Sequence, residues 1–118
     1  MTITRLPGDI PGRSSGTAYG DLVWAVAVDE DKAADVASQT RGALARIDKT
    51  LARIGTDKGR ILMATVYLSA FDRKGEMDAV WTEWVGDDPA GWPERACVGT
   101  ELEPGLLVEI AVVAARGA

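Results

Sequence analysis

The chain has no histidine and one cysteine among its 118 residues. Without histidine, Ser-His-Asp and Cys-His catalysis and imidazole metal ligation are all ruled out. One cysteine cannot form an internal disulfide, and with no histidine beside it a zinc site is not expected. No stretch of about 18 apolar residues occurs, so no membrane-spanning helix is expected. The first residues do not read as a signal sequence, and a cytoplasmic protein is expected. Clustered lysine and arginine are also lacking. With a net charge of −5, a nucleic-acid partner is not expected, because phosphate neutralisation needs grouped cations.

The remaining composition, 47% hydrophobic and 26% charged, is that of an ordinary soluble globular protein. One domain spanning residues 1–118 is expected. Thr2–Arg5 reads as a short, weak strand, and residues 5–20, rich in Gly, Pro and Ser, as an irregular lead-in. Leu22–Val28 is apolar throughout, as in a buried strand. The Asp29-Glu30-Asp31 cluster can cap a helix over Lys32–Ile54, where Val36, Thr40, Ala43, Leu44, Ile47, Leu51 and Ile54 recur at the helical period. Gly55 suits the position just past its end. Arg60–Ser69 is a further strand, and Asp72 is placed to cap a second helix over Gly75–Val85.

Pro93–Thr100 and Leu106–Ala114 flank a five-residue connection containing Pro104 and Gly105, which reads as a hairpin. The order is then β-β-α-β-α-β-β, an α+β mixed sheet. Two amphipathic helices can cover one face of such a sheet. Several strands are nevertheless apolar on both faces, so another copy of the chain is expected against the second face.

Arg95 stands within the first arm of this hairpin. Burying its charge unpaired costs several kcal/mol, by order of magnitude, so a partner is required. The hairpin register sets Cys97 opposite Glu109 and Arg95 opposite Ala111. Arg95, Cys97 and Glu109 then share one face, with Glu109 as Arg95's diagonal neighbour. Two alternatives stay open: an ion pair within the protein, or a carboxylate on a ligand.

Val36-Ala37-Ser38-Gln39-Thr40-Arg41-Gly42-Ala43-Leu44, Met77-Asp78-Ala79-Val80-Trp81, and Trp92-Pro93-Glu94-Arg95-Ala96-Cys97-Val98 followed by Val108-Glu109-Ile110 together resemble the Rid family (RidA, also YjgF), and most of all its YoaB-like branch. The similarity runs from about Leu22 to Ala115. It implies a chorismate-mutase-like fold and a homotrimer with pockets between subunits. It also implies hydrolysis of small imines and enamines to keto acids and ammonia, without a cofactor. Arg95 matches the arginine that binds the substrate carboxylate, a task suited to the two-pronged guanidinium.

The chain departs from the family pattern at several places. Ala111 stands where a glutamate associated with the catalytic water is expected. Ala25-Val26-Ala27 replaces a Ser-Gly-Gln motif, and Asp78 replaces a frequent asparagine. The N-terminal Gly-Pro-Tyr motif is missing, and Arg13, Ser15 and Tyr19 occupy its general region without a clean match.

The candidate catalytic residues are thus Arg95 and Glu109, and the candidate substrate-binding residues are Arg95, Cys97, Trp92 and Tyr67. Each has a plainer role: Glu109 as a structural partner, Cys97 as a small buried thiol, Trp92 as loop packing and Tyr67 as an interface residue. Trp81 and Trp84 are expected to pack their helix. The expected ligand is a small carboxylate-bearing imine or keto acid. A non-catalytic small-acid-binding trimer and an endoribonuclease are the alternatives.

Overall fold

The structure, a computed structural model, describes residues 1–117. Its elements run β1 (Ile3–Pro7), β2 (Ser14–Tyr19), β3 (Leu22–Ala27), α1 (Val36–Arg53), β4 (Ile61–Leu68), α2 (Lys74–Val85), β5 (Glu94–Gly99) and β6 (Val108–Ala115). The strands form one mixed sheet in the order β1-β2-β3-β6-β4-β5. β4 and β5 are parallel, and the other neighbouring pairs are antiparallel. The expected α+β architecture is therefore present, with one strand more in the lead-in.

That extra strand is β2. Its sequence, Ser-Ser-Gly-Thr-Ala-Tyr, has little of the β-branched and aromatic pattern by which strands are recognised. Packing explains its form: a Cβ on Gly16 would lie 2.7 Å from Thr50 Cγ2, so glycine lets the strand pass close to α1. Gly20, at φ +61, turns β2 into β3, and Tyr19 pairs with Leu22.

α1 begins at Val36, later than the expected Lys32. Its cap is Asp35, whose Oδ1 accepts a hydrogen bond from the Ser38 N–H at 2.8 Å. Asp31 instead accepts from the Ala33 N–H in the turn before it. At the other end, the Thr56 N–H donates to the Leu51 carbonyl and the Gly55 N–H to that of Ala52, with Gly55 at φ +91. This closes the last turn as the glycine there suggests. Asp72 does not cap α2; it lies in a short 3-10 turn, Phe71–Arg73, that leads directly into the helix.

The largest difference concerns β5 and β6. They are not a hairpin, because β4 lies between them. The connection crosses the end of β4: the Thr100 N–H donates to the Leu68 carbonyl, and the Ser69 N–H to that of Leu107. Gln39, fully buried in α1, holds this connection by donating to the Gly105 carbonyl at 3.0 Å and accepting from the Leu107 N–H at 2.8 Å.

Both helices pack on one face of the sheet. Leu44, Ile47 and Leu51 of α1 and Met77 and Trp81 of α2 meet Val23, Val66, Ile110 and Val112 there. The other face carries exposed apolar side chains, among them Leu22, Trp24, Val26 and Val98.

Candidate functional site

Pairing across the sheet decides which candidate residues can meet. Arg95 lies beside Ala64, and Ala64 beside Val112, so Arg95 sits on the helix-covered face. Cys97, beside Val66, shares that face and packs against the core as a free thiol. Glu109 lies beside Tyr67, and Tyr67 beside Val98, which puts Glu109 and Tyr67 on the open face. The expected shared face for Arg95 and Glu109 is therefore corrected. Pairing through β4 sets Arg95 level with Val112 instead of Ala111, and that shift of one residue reverses the faces of β5 relative to β6. Ala111 is likewise not opposite Arg95; it pairs with Thr65 and Val26 on the open face.

The partner of Arg95 is Asp78 of α2. Arg95 Nη2 donates to Asp78 Oδ1 at 2.8 Å, and Lys74 Nζ donates to Asp78 Oδ2 at 2.7 Å. Lys74 and Asp78 are four residues apart, on one side of the helix. Arg95 Nη1 approaches the Met77 sulfur at 3.6 Å, and the guanidinium carbon lies 5.3 Å from the centre of the Trp81 ring. This position sets the cation over the Trp81 ring and adds a cation–π attraction. Burial by itself would raise the Asp78 carboxyl, but the hydrogen bonds from Lys74 and Arg95 outweigh it and hold the group below its ordinary value.

The Arg95 side chain is 21% exposed, and β5 is an edge strand. A guanidinium carries five N–H donors. Only Asp78 and the Met77 sulfur engage it among the described residues, and no buried side-chain nitrogen there lacks a partner. Its Nε makes no hydrogen bond among the described residues and so is not fully buried; on this partly exposed side chain of an edge strand it can meet an anion.

Trp92 does not join this cluster through a hydrogen bond; its indole donates to the Gly86 carbonyl at 2.9 Å and its ring is exposed. Trp81 is buried as expected. Trp84 packs beside it with ring centres 5.4 Å apart, and donates to Asp48.

Glu109 opens onto a separate cleft of about 430 Å³ between the β1–β2 connection and α1, lined also by Arg13, Arg46, Lys49 and Arg53. Arg46 is partly neutralised there by Asp9 and Glu30. A second hollow on the open face, about 280 Å³, lies among Trp24, Val26, Thr65 and Ala111. Ser15 lines both hollows. No group of three or more His, Cys, Asp or Glu side chains is arranged to hold a metal among the described residues.

Asp78 is the site residue that the sequence pattern did not assign to Arg95. The Lys74–Asp78 spacing was visible, but their link to Arg95 depends on β5 lying beneath α2.

Comparison with known proteins agrees with this architecture. Residues 20–116 match the family described as Endoribonuclease L-PSP. The chain is 42% identical over 116 residues to a RutC family protein of Haemophilus ducreyi, covering 96% of each chain. It is 35% identical over 117 residues to the RutC family protein YoaB of Escherichia coli, covering 98% of this chain and 99% of that one. The crystal structure of a YjgF family member from Neisseria meningitidis superimposes with a TM-score of 0.90 at 33% identity, covering 100% of this chain and 98% of that one. The chain thus belongs to the Endoribonuclease L-PSP family, among the RutC and YjgF proteins that the Arg95 segment resembles.

Proposed function

We propose that this protein hydrolyses small imines and enamines that carry a carboxylate, at a pocket formed between copies of the chain. The observation that carries this reading is Arg95 itself, a partly exposed guanidinium on an edge strand whose Nε–H has no partner among the described residues. The guanidinium is oriented by Asp78 and Trp81, so little of its freedom remains to be lost when a carboxylate binds. Water adds to the imine carbon, a proton passes to nitrogen, and the C–N bond breaks to leave a keto acid and ammonia. An enamine first takes up a proton on carbon to become the imine.

Two features support association between copies of the chain, which the family resemblance makes a homotrimer. The open face is apolar and unpartnered within the chain. Arg95 and Glu109 also lie on opposite faces, with β4 between their strands. In the proposed pocket, Arg95 and Cys97 of one copy meet the open face of another, whose Glu109 orients the attacking water and whose Tyr67 lines the wall.

The test is the hydrolysis of 2-iminopropanoate generated in situ. The wild-type protein is expected to accelerate it, and Arg95→Ala to abolish the acceleration without changing the assembly state. Wild-type protein that leaves the spontaneous rate unchanged sinks the reading. One observation favours a second reading, binding without turnover: Ala111 puts a methyl group on the open face. Keto acids that raise the melting temperature while imine hydrolysis stays at its spontaneous rate support that alternative.

RNA cleavage, named in the family description, is not proposed. The net charge is −5, and acids are interspersed with the cations of the one cationic cleft described.

A further inference from the structure

Asp78 lies between two cations, one on each carboxylate oxygen. The cluster of Lys74, Asp78 and Arg95 therefore holds two positive charges and one negative charge, a net charge of +1. Glu94, the next residue along β5, lies beside Met63 on the opposite face and does not enter this balance. Arg73 and Glu76, one turn away, neutralise each other at 3.2 Å.

The guanidinium N–H groups point outward in its own plane, so a ligand carboxylate engages an in-plane edge, and Asp78 already accepts from Nη2 there. A bound carboxylate and Asp78 then flank the same guanidinium. Binding one carboxylate brings the local charge to zero, which leaves nothing to attract a second anionic group and Asp78 close enough to repel it. Asp78 stays ionised throughout the neutral range, because its hydrogen bonds from Lys74 and Arg95 outweigh the cost of its burial.

We propose that Asp78 is a specificity-determining residue that makes the Arg95 subsite select ligands with a single carboxylate and discriminate against dicarboxylates. This rests on Arg95 being the carboxylate anchor. Asp78 acts through Arg95 and through its own field, without bonding to the ligand. The substrate class narrows accordingly, to imines of amino acids with uncharged side chains rather than those of aspartate or glutamate.

Calorimetric titration of the full chain with pyruvate and 2-oxobutanoate on one side, and oxaloacetate and 2-oxoglutarate on the other, tests this. Wild-type protein is expected to bind the monocarboxylates more tightly. Asp78→Asn keeps the side chain's shape and raises the local charge to +2, so the ratio of dicarboxylate to monocarboxylate affinity is expected to rise about tenfold. Lys74→Met lowers the local charge to zero without touching Arg95, and the same ratio is expected to fall. It supplies the measurement should Asp78→Asn not fold. Binding that Arg95→Ala abolishes, with a ratio unmoved by Asp78→Asn or Lys74→Met, overturns the role of Asp78 alone. Binding unaffected by Arg95→Ala, or no binding by wild-type protein, overturns both the anchor and the selectivity built on it.

Discussion

The two faces of the sheet are made by adjacent residues of the same strands, yet they end in different surroundings. Val23 and Ala25 of β3 are buried under the helices, while their neighbours Trp24 and Val26 are 40% and 43% exposed. Ile110 and Val112 of β6 are buried, whereas Glu109, Ala111 and Val113 are only half-covered. Side chains alternate across a strand, so one register sets the faces of a whole strand at once. The contrast shows that this chain builds one complete core and offers a second apolar surface that its own helices do not reach.

If the helix-covered face is the core of each chain, the largest effects follow from damaging it. Ile110→Ala is expected to lower unfolding free energy by about 2–5 kcal/mol, independent of protein concentration, in urea titrations. Equal losses from Ile110→Ala and from Val113→Ala on the open face, in dilute protein, would remove the distinction between the faces.

Gln39 gives the next effect. Replacing it with Leu leaves the Leu107 N–H and the Gly105 carbonyl without the partners they now have. A loss of about 1–3 kcal/mol is expected, with hydrogen exchange at Leu107 accelerating more than exchange in β3.

The open face is sharpened by Val26→Asp. It is expected to dissociate the proposed assembly in sedimentation experiments, while the stability of the separated chain changes by no more than about 0.5 kcal/mol.

The smallest expected effect is the acid limb of stability at Asp78. Its folded-state pKa is lowered by the Lys74 and Arg95 hydrogen bonds despite its burial. Its contribution is therefore fully present above the unfolded value of about 3.9 and is lost as pH falls through the lower folded value. Asp78→Asn should flatten the fall in melting temperature below about pH 4, and leave the slope at neutral pH unchanged. The side chain is 37% exposed, so solvent screening keeps this contribution small.

Much of the covered face was legible. The helical period from Val36 to Ile54 and Gly55 after it mark α1 in any setting, because amphipathic spacing and a left-handed closing residue are local properties. The alternation along β4 and β6, with Ala64 to Leu68 and Val108 to Ala114 buried at the even positions, is local in the same way. β2 escaped recognition because its strand character comes from the neighbours it pairs with and from the fit of Gly16 against Thr50, not from its composition. The hairpin was misplaced because the short Glu101–Gly105 segment with Pro104 and Gly105 suits a tight turn as well as a path over the end of one strand. Adjacent strands lie only about 4.8 Å apart, so a few extra residues suffice to skip one.

By itself, the sequence determined that Arg95 is a charge in an apolar strand that must have a partner, and that the chain has two helices for a sheet apolar on both sides. These follow from residue chemistry and periodicity, which do not depend on what lies next to a strand. Only the tertiary structure decided that the partner is Asp78 rather than Glu109. That choice turns on β4 entering between β5 and β6: the insertion puts Arg95 beneath α2 and Glu109 on the far side of the sheet, and no local pattern in either strand records it.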